Sequence, residues 1–146
     1  MSPREFEPGV IHARLTLIRE LLADLATVGA ISETDLARDR MLRHAVERIL
    51  VQIVDLSVSI NSHVAATQLG KAPPDYRSSF DLAADAGMID ASLARSLRGS
   101  VGLRNVLTHE YVAVDLARVV ESAALAKAHY AEYLKQVAGW LNSLAS

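Results

Sequence analysis

Residues 35–70 read DLARDRMLRHAVERILVQIVDLSVSINSHVAATQLG, and this stretch decides the fold class. Met41, Leu42, Ala45, Val46, Ile49, Ile53, Leu56, Ile60 and Val64 recur along it at helical spacing on one broad face, and Gly70 ends the run. Strict alternation over strand lengths is missing here and elsewhere. A helix from about Asp35 to Leu69 is too long for a peripheral element, so the pattern predicts the backbone of a helical bundle.

Working outward, Gly70-Lys-Ala-Pro-Pro-Asp75 is the clearest break, because paired prolines remove amide donors and bias the preceding residues away from helix. Upstream, Val10, Ile11, Leu15, Ile18, Leu22 and Leu25 form a stripe that Pro8 opens and Gly29 closes, which predicts a helix over about Gly9 to Val28. Ser32-Glu-Thr-Asp35 then supplies N-cap candidates. Downstream, short helices are expected at about 77–86 and 90–109, with Gly87 between them and Asp90 as a cap. A last helix should start near Asp115 and run to about Asn142, with Leu116, Val119, Val120, Ala123, Leu134, Val137 and Leu141 inward. The expected fold is all-α, an antiparallel bundle of four or five helices in a single domain spanning residues 1–146.

Composition narrows the classes. A chain of 146 residues that is 51% hydrophobic and 22% charged is a globular domain and not a disordered one. Aromatics are only 5%, so aliphatic side chains must fill most of the core. The absence of cysteine removes disulfide frameworks, thiolate nucleophiles and Cys-based metal sites. A formal charge of −2 provides no global positive field, so any site for a polyanion must be a local patch. The N-terminal residues carry acids and prolines where a secretory signal needs a basic start and an apolar run, and no stretch reads as an uncharged membrane span. A cytoplasmic protein with no membrane association is expected.

The one locally basic stretch is Ala91–His109, which holds Arg95, Arg98 and Arg104 and no acid. Such runs commonly mark a solvated helix face. Within it, however, Gly102-Leu-Arg104-Asn105-Val-Leu-Thr-His109-Glu-Tyr111 gathers an arginine, an amide, a histidine and a tyrosine. Phosphodiester cleavage can use all of them. Arginine matches a phosphate with a permanently charged fork and stabilises charge developing at phosphorus. Histidine titrates near neutrality and can take a proton from a ribose 2′-OH or give one to a leaving oxygen. Asn105 and His109, four apart, share a helix face on which the amide could orient the imidazole. Arg104 and His109, five apart, diverge by about 140° in a continuous helix. The expectation is both that the helix ends near His109 and that a second copy of the motif across a symmetric dimer completes the site. Gly99 and Gly102 lack the bulk that would hold a partner helix away, and they could equally mark a kink. His12, His44, His63 and His129 are isolated on helix faces, without metal-ligand spacing, so no metal site and no cofactor are expected.

Arg104-Asn105-(x3)-His109-x-Tyr111 resembles the Arg-x4-His-x-Tyr signature of HepT-like toxins, members of the HEPN (higher eukaryotes and prokaryotes nucleotide-binding) superfamily. Arg40-(x2)-Arg43-His-Ala-(x)-Glu47 with Gln52-Ile-Val-Asp55-Leu is similar to that family's long second helix, and Tyr76-(x3)-Phe80-(x)-Leu-(x4)-Gly87-(x)-Ile89 to its next segment. The resemblance covers about residues 10–142. It implies a HEPN-like helical homodimer and a metal-independent endoribonuclease, paired with a minimal nucleotidyltransferase (MNT) antitoxin. It further implies that Arg104 and His109 are the catalytic pair and that the antitoxin adenylylates Tyr111.

The leading reading is therefore a ribonuclease toxin. Arg104 clamps the scissile phosphate, His109 acts as acid and base, Asn105 supports it, and Arg95 and Arg98 are candidates for holding RNA. A non-catalytic nucleotide- or RNA-binding module of the same fold is the alternative, and a helical interaction protein that only binds the nucleotidyltransferase is a third.

Overall fold

The structure, a computed structural model, describes residues 5–109 and 114–145. Among them are six helices and no strand: α1 (Pro8–Val28), α2 (Glu33–Arg38), α3 (Arg40–Val64), α4 (Tyr76–Asp85), α5 (Ala91–His109) and α6 (Leu116–Ala145). The all-α bundle read from the sequence is the fold observed.

Local chemistry sets most of the boundaries. Pro8 occupies the first turn of α1, and Gly29, at φ 78°, closes it by donating its N–H to Ala26 O at 3.0 Å. Ser32 and Asp35 form a reciprocal capping box at the start of α2. The single long helix expected over 35–69 is instead two. Asp39 is extended, at φ −117° and ψ 96°, and its carboxylate accepts the Leu42 N–H at 3.0 Å. An aspartate that caps a following turn in this way competes with continuing the helix through it. At the other end α3 passes into a π-helical turn, Ala65–Leu69, before Gly70 leaves it in the left-handed region at φ 64°. After Pro73 and Pro74, Asp75 caps α4 by accepting the Ser78 N–H at 2.7 Å. Asp90 caps α5 by accepting the Leu93 N–H, also at 2.7 Å.

Helix α3 is the centre of the bundle, in contact with every other helix. Ile53, Ile60, Val46 and Val64 on α3 are fully buried, together with Ile11 and Ile18 of α1, Phe80 of α4, Leu97 of α5 and Tyr130 and Tyr133 of α6. By length and composition alone, Arg40–Leu69 could also cross a membrane. However, 61% of its most apolar 18-residue window is buried inside the protein, which is what a core helix requires. The mostly aliphatic core leaves one end of α5 to be framed by the beginnings of α4 and α6.

Candidate functional site

Arg104 lies in the C-terminal half of α5, and its guanidinium is held from three directions. Nε donates to Asp55 Oδ1 on α3 at 2.8 Å, Nη1 to Asn105 Oδ1 at 3.3 Å, and Nη2 to the Tyr76 hydroxyl at 3.3 Å. The guanidinium carbon also stands 4.5 Å from the centre of the Tyr76 ring, a cation–π distance. A guanidinium has five N–H donors, so these three bonds leave one on each Nη nitrogen. The Arg104 side chain is 17% exposed and that of Asp55 38%, so the pair sits at the rim of the protein and not in its core.

Asp55 and Tyr76 are the residues that sequence reasoning did not assign to the site. Asp55 is the one charged side chain between Arg48 and His63, in the middle of the apolar run of α3, and that isolation was the available signal. Tyr76 is fixed from below by a buried polar chain. Ser79 Oγ donates to Tyr76 O at 2.7 Å, Asn61 Nδ2 donates to Ser79 Oγ at 3.2 Å, and the Tyr133 hydroxyl donates to Asn61 Oδ1 at 2.7 Å. Ser79, Asn61 and Tyr133 are all fully buried, so each of these bonds satisfies a group that would otherwise be costly to leave dry. The chain ties the first turn of α4, which carries Tyr76, to α3 and α6. Burial, and next the Asp55 charge, push the Tyr76 phenol above its ordinary pKa, partly offset by Arg104. It therefore stays neutral near pH 7 and serves as acceptor for the guanidinium.

His109 is the last described residue of α5 and is exposed. Because α5 is helical from Arg104 to His109, the two side chains diverge around the helix by about 140°. They do not converge within one chain. Asn105, expected beside the imidazole, directs its amide oxygen to Arg104, and among the described residues no hydrogen bond joins it to His109. Arg98 forms an ion pair with Asp81 of α4. Arg95 is exposed, and it lies about 13 Å back along the helix axis from Arg104. Tyr111 lies outside the described residues. Gly99 has open space at its Cα, whereas the space beside Gly102 is occupied by arginines of the same chain rather than left for a partner helix. Of the four isolated histidines, His63 is buried and accepts the Glu7 N–H at 3.1 Å, a structural role.

Between α3, α5 and α6 is a cavity of about 200 Å³ whose lining includes Arg104, Ser100, Arg118, His129 and Tyr130. An oriented guanidinium with donors to spare, at the mouth of a cavity and on the same helix as an exposed histidine, is an arrangement suited to holding a phosphate.

The comparisons agree on what this architecture is. The profile of the ribonuclease HepT-like family matches residues 14–138. A tRNA nuclease HepT from Aphanizomenon flos-aquae is 30% identical over 139 residues, which cover 94% of each chain. An mRNA nuclease HepT from Shewanella oneidensis is 31% identical over 83 residues, 57% of this chain and 62% of that one. A tri-AMPylated Shewanella oneidensis HEPN toxin, solved in complex with an MNT antitoxin, superimposes with a TM-score of 0.79 at 22% identity, over 89% of this chain and 97% of that one. From the family profile and the end-to-end likeness to a HepT nuclease, the chain belongs to the ribonuclease HepT-like family.

Proposed function

We propose that this protein is a metal-independent endoribonuclease, the toxin of a pair whose antitoxin is a minimal nucleotidyltransferase, and that it acts in the cytoplasm. The observation that carries this reading is Arg104, oriented by Asp55 and Tyr76 with one N–H on each Nη nitrogen still to donate. Those donors suit two oxygens of a scissile phosphodiester and the charge that grows on them in the transition state. The ribose 2′-OH attacks phosphorus, a base takes its proton, an acid protonates the departing 5′-oxygen, and the product ends in a 2′,3′-cyclic phosphate. One imidazole cannot stand on both sides of the phosphorus. The divergence of Arg104 and His109 around α5 supports a symmetric homodimer in which the two 99–111 segments meet and two copies of His109 serve as base and acid. The HepT nucleases among its relatives, and the HEPN toxin with its MNT antitoxin among its structural neighbours, support the same reading.

Neutralisation would follow from AMP on Tyr111. AMP on the Tyr111 hydroxyl would add bulk and a negative phosphate two residues beyond His109, in competition with the RNA phosphate for the arginines of the site. Antitoxin with ATP should then raise the intact mass by one or more AMP units, and Tyr111→Phe should resist it.

The decisive experiment is RNA cleavage in EDTA by the purified protein. Wild type should cut, and Arg104→Ala and His109→Ala should each lose roughly 100-fold or more. Variants that cut like wild type overturn the assignment. A protein that binds RNA and leaves it intact in this assay would instead be a non-catalytic binding module of the same fold.

A further inference from the structure

The space beside Gly102 is unlike that beside any other glycine of the chain, and it points to a second anion site. A β-carbon built on Gly102 would lie 3.0 Å from Nη2 of Arg118 and 3.4 Å from Nη2 of Arg77, whereas each of the other six glycines has nothing within 4 Å. Arg77 belongs to the first turn of α4 and Arg118 to the first turn of α6, so two guanidiniums from different helices meet over one bare Cα. Both arginines are exposed. Among the described residues neither has a carboxylate within ion-pair distance, since the pairs formed are Arg43–Glu47, Arg98–Asp81 and Arg104–Asp55. The acids nearest in sequence form no ion pair with them, although the Asp75 charge is felt by Arg77. Asp75 accepts the Ser78 N–H, Asp115 accepts the Ala117 N–H, and Glu121 lines the neighbouring cavity without pairing to Arg118.

Like charges held this close repel each other, and an anion between them turns the repulsion into two attractive contacts. Charge-assisted N–H···O bonds run to about 2.8 Å, so the oxygens of a single phosphate are within reach of both guanidiniums. Arg118 lines the same cavity as Arg104, and Gly102 precedes His109 by seven residues, so the two arginines meet on the His109 face of α5, about two turns from His109.

We propose that Arg77 and Arg118, meeting across Gly102, form a phosphate subsite on the His109 face of α5 that takes a backbone phosphodiester of the RNA near the one that is cut. Glycine at 102 leaves Arg118 room to approach α5 this closely. The inference rests on the ribonuclease reading for its ligand, and its test does not depend on cleavage.

The probe is a fluorescently labelled, fully 2′-O-methylated single-stranded RNA, which cannot undergo transesterification, titrated by anisotropy across a salt series. For single strands each phosphate contact contributes about 0.7 to the slope of log affinity against log salt. Arg77→Gln and Arg118→Gln should each flatten that slope by about 0.7 and weaken binding about tenfold, while Arg118→Lys, which keeps the charge, should retain the slope. Gly102→Ala crowds Nη2 of Arg118 by a few tenths of an ångström and leaves Arg77 at ordinary contact, so it should weaken binding less than either glutamine variant and should not lower the thermal midpoint, because a helical Ala is favoured. Slopes and affinities equal to wild type in both glutamine variants overturn the subsite. If those variants bind like wild type while the protein still cleaves RNA, the subsite alone falls. If they lose the slope in a protein that cuts nothing, the subsite stands and the ribonuclease reading falls.

Discussion

Replacing Asp55 by alanine separates the orientation of Arg104 from its charge. The change removes a charge-assisted contact of 2.8 Å to Arg104, with Arg104 17% and Asp55 38% exposed, together with the interaction of the carboxylate with the Tyr76 hydroxyl. A fully exposed pair contributes about 0–1 kcal/mol, and breaking a fully buried one costs about 3–5 kcal/mol. With the carboxylate more than a third exposed, and the freed guanidinium still bonded to Asn105 and Tyr76, the loss belongs near the low end, about 1 kcal/mol. In a chain of this size that lowers the thermal midpoint by roughly 2–4 °C, measurable by circular dichroism at pH 7. The effect on cleavage is larger, because a catalytic group misplaced by about 1 Å costs on the order of 100-fold in rate. RNA affinity should hold or rise, since a negative charge has left the phosphate site. Single-turnover cleavage of a labelled RNA should therefore show kcat falling with KM unchanged or lower, and Asp55→Asn, which keeps an acceptor, should fall between. A variant that turns over at the wild-type rate, or that loses affinity rather than turnover, refutes the view that Asp55 aims Arg104.

Tyr76→Leu removes both the hydroxyl acceptor and the ring beneath Arg104 and should slow cleavage more than Tyr76→Phe, which keeps the cation–π contact; equal losses in kinetic assays would exclude a role for the ring. Asn61→Ala deprives the buried Tyr133 hydroxyl of its shorter acceptor and should destabilise by about 2–3 kcal/mol in urea titrations; a loss under 1 kcal/mol would show that the chain beneath Tyr76 is not holding it. Asp75 is held below the usual carboxylate range by the Ser78 N–H, so its contribution to stability is present above about pH 3.9 and is lost as pH falls through its lowered value. Asp75→Asn keeps a cap that does not titrate, and stability followed into acid should fall less steeply than in wild type; an unchanged slope would contradict the assignment. Gly99→Ala meets nothing within 4 Å and should raise stability of the isolated chain by about 0.8–1 kcal/mol, but in a dimer built on the 99–111 segments it should loosen association, as light scattering would detect.

The helical class and most helix ends were legible from residues alone, because the signals are local. Pro8 and Gly29, the Ser32–Asp35 N-cap candidates, the Gly70 to Asp75 break and the Asp90 cap each act within about four residues of the group they satisfy. Asp39 carried a signal of the same kind, but the apolar period on either side of it masked the break between α2 and α3. The basic stretch with Arg104, Asn105 and His109 was also visible in sequence, since these residues lie within one short run of a single helix. Tertiary structure alone decided what Arg104 touches. Asp55 lies 49 residues and Tyr76 28 residues away, and the register of α3 and α4 against α5 brings them to one guanidinium. The same packing brings Arg77 and Arg118 to Gly102, three residues that no spacing in the chain relates. Helical periodicity specifies which face of each helix is buried, but which exposed groups meet at the ends depends on how far each helix is slid and rotated against its neighbours. That is set by the interlocking of side chains such as Phe80, Leu97, Tyr130 and Tyr133 in the shared core.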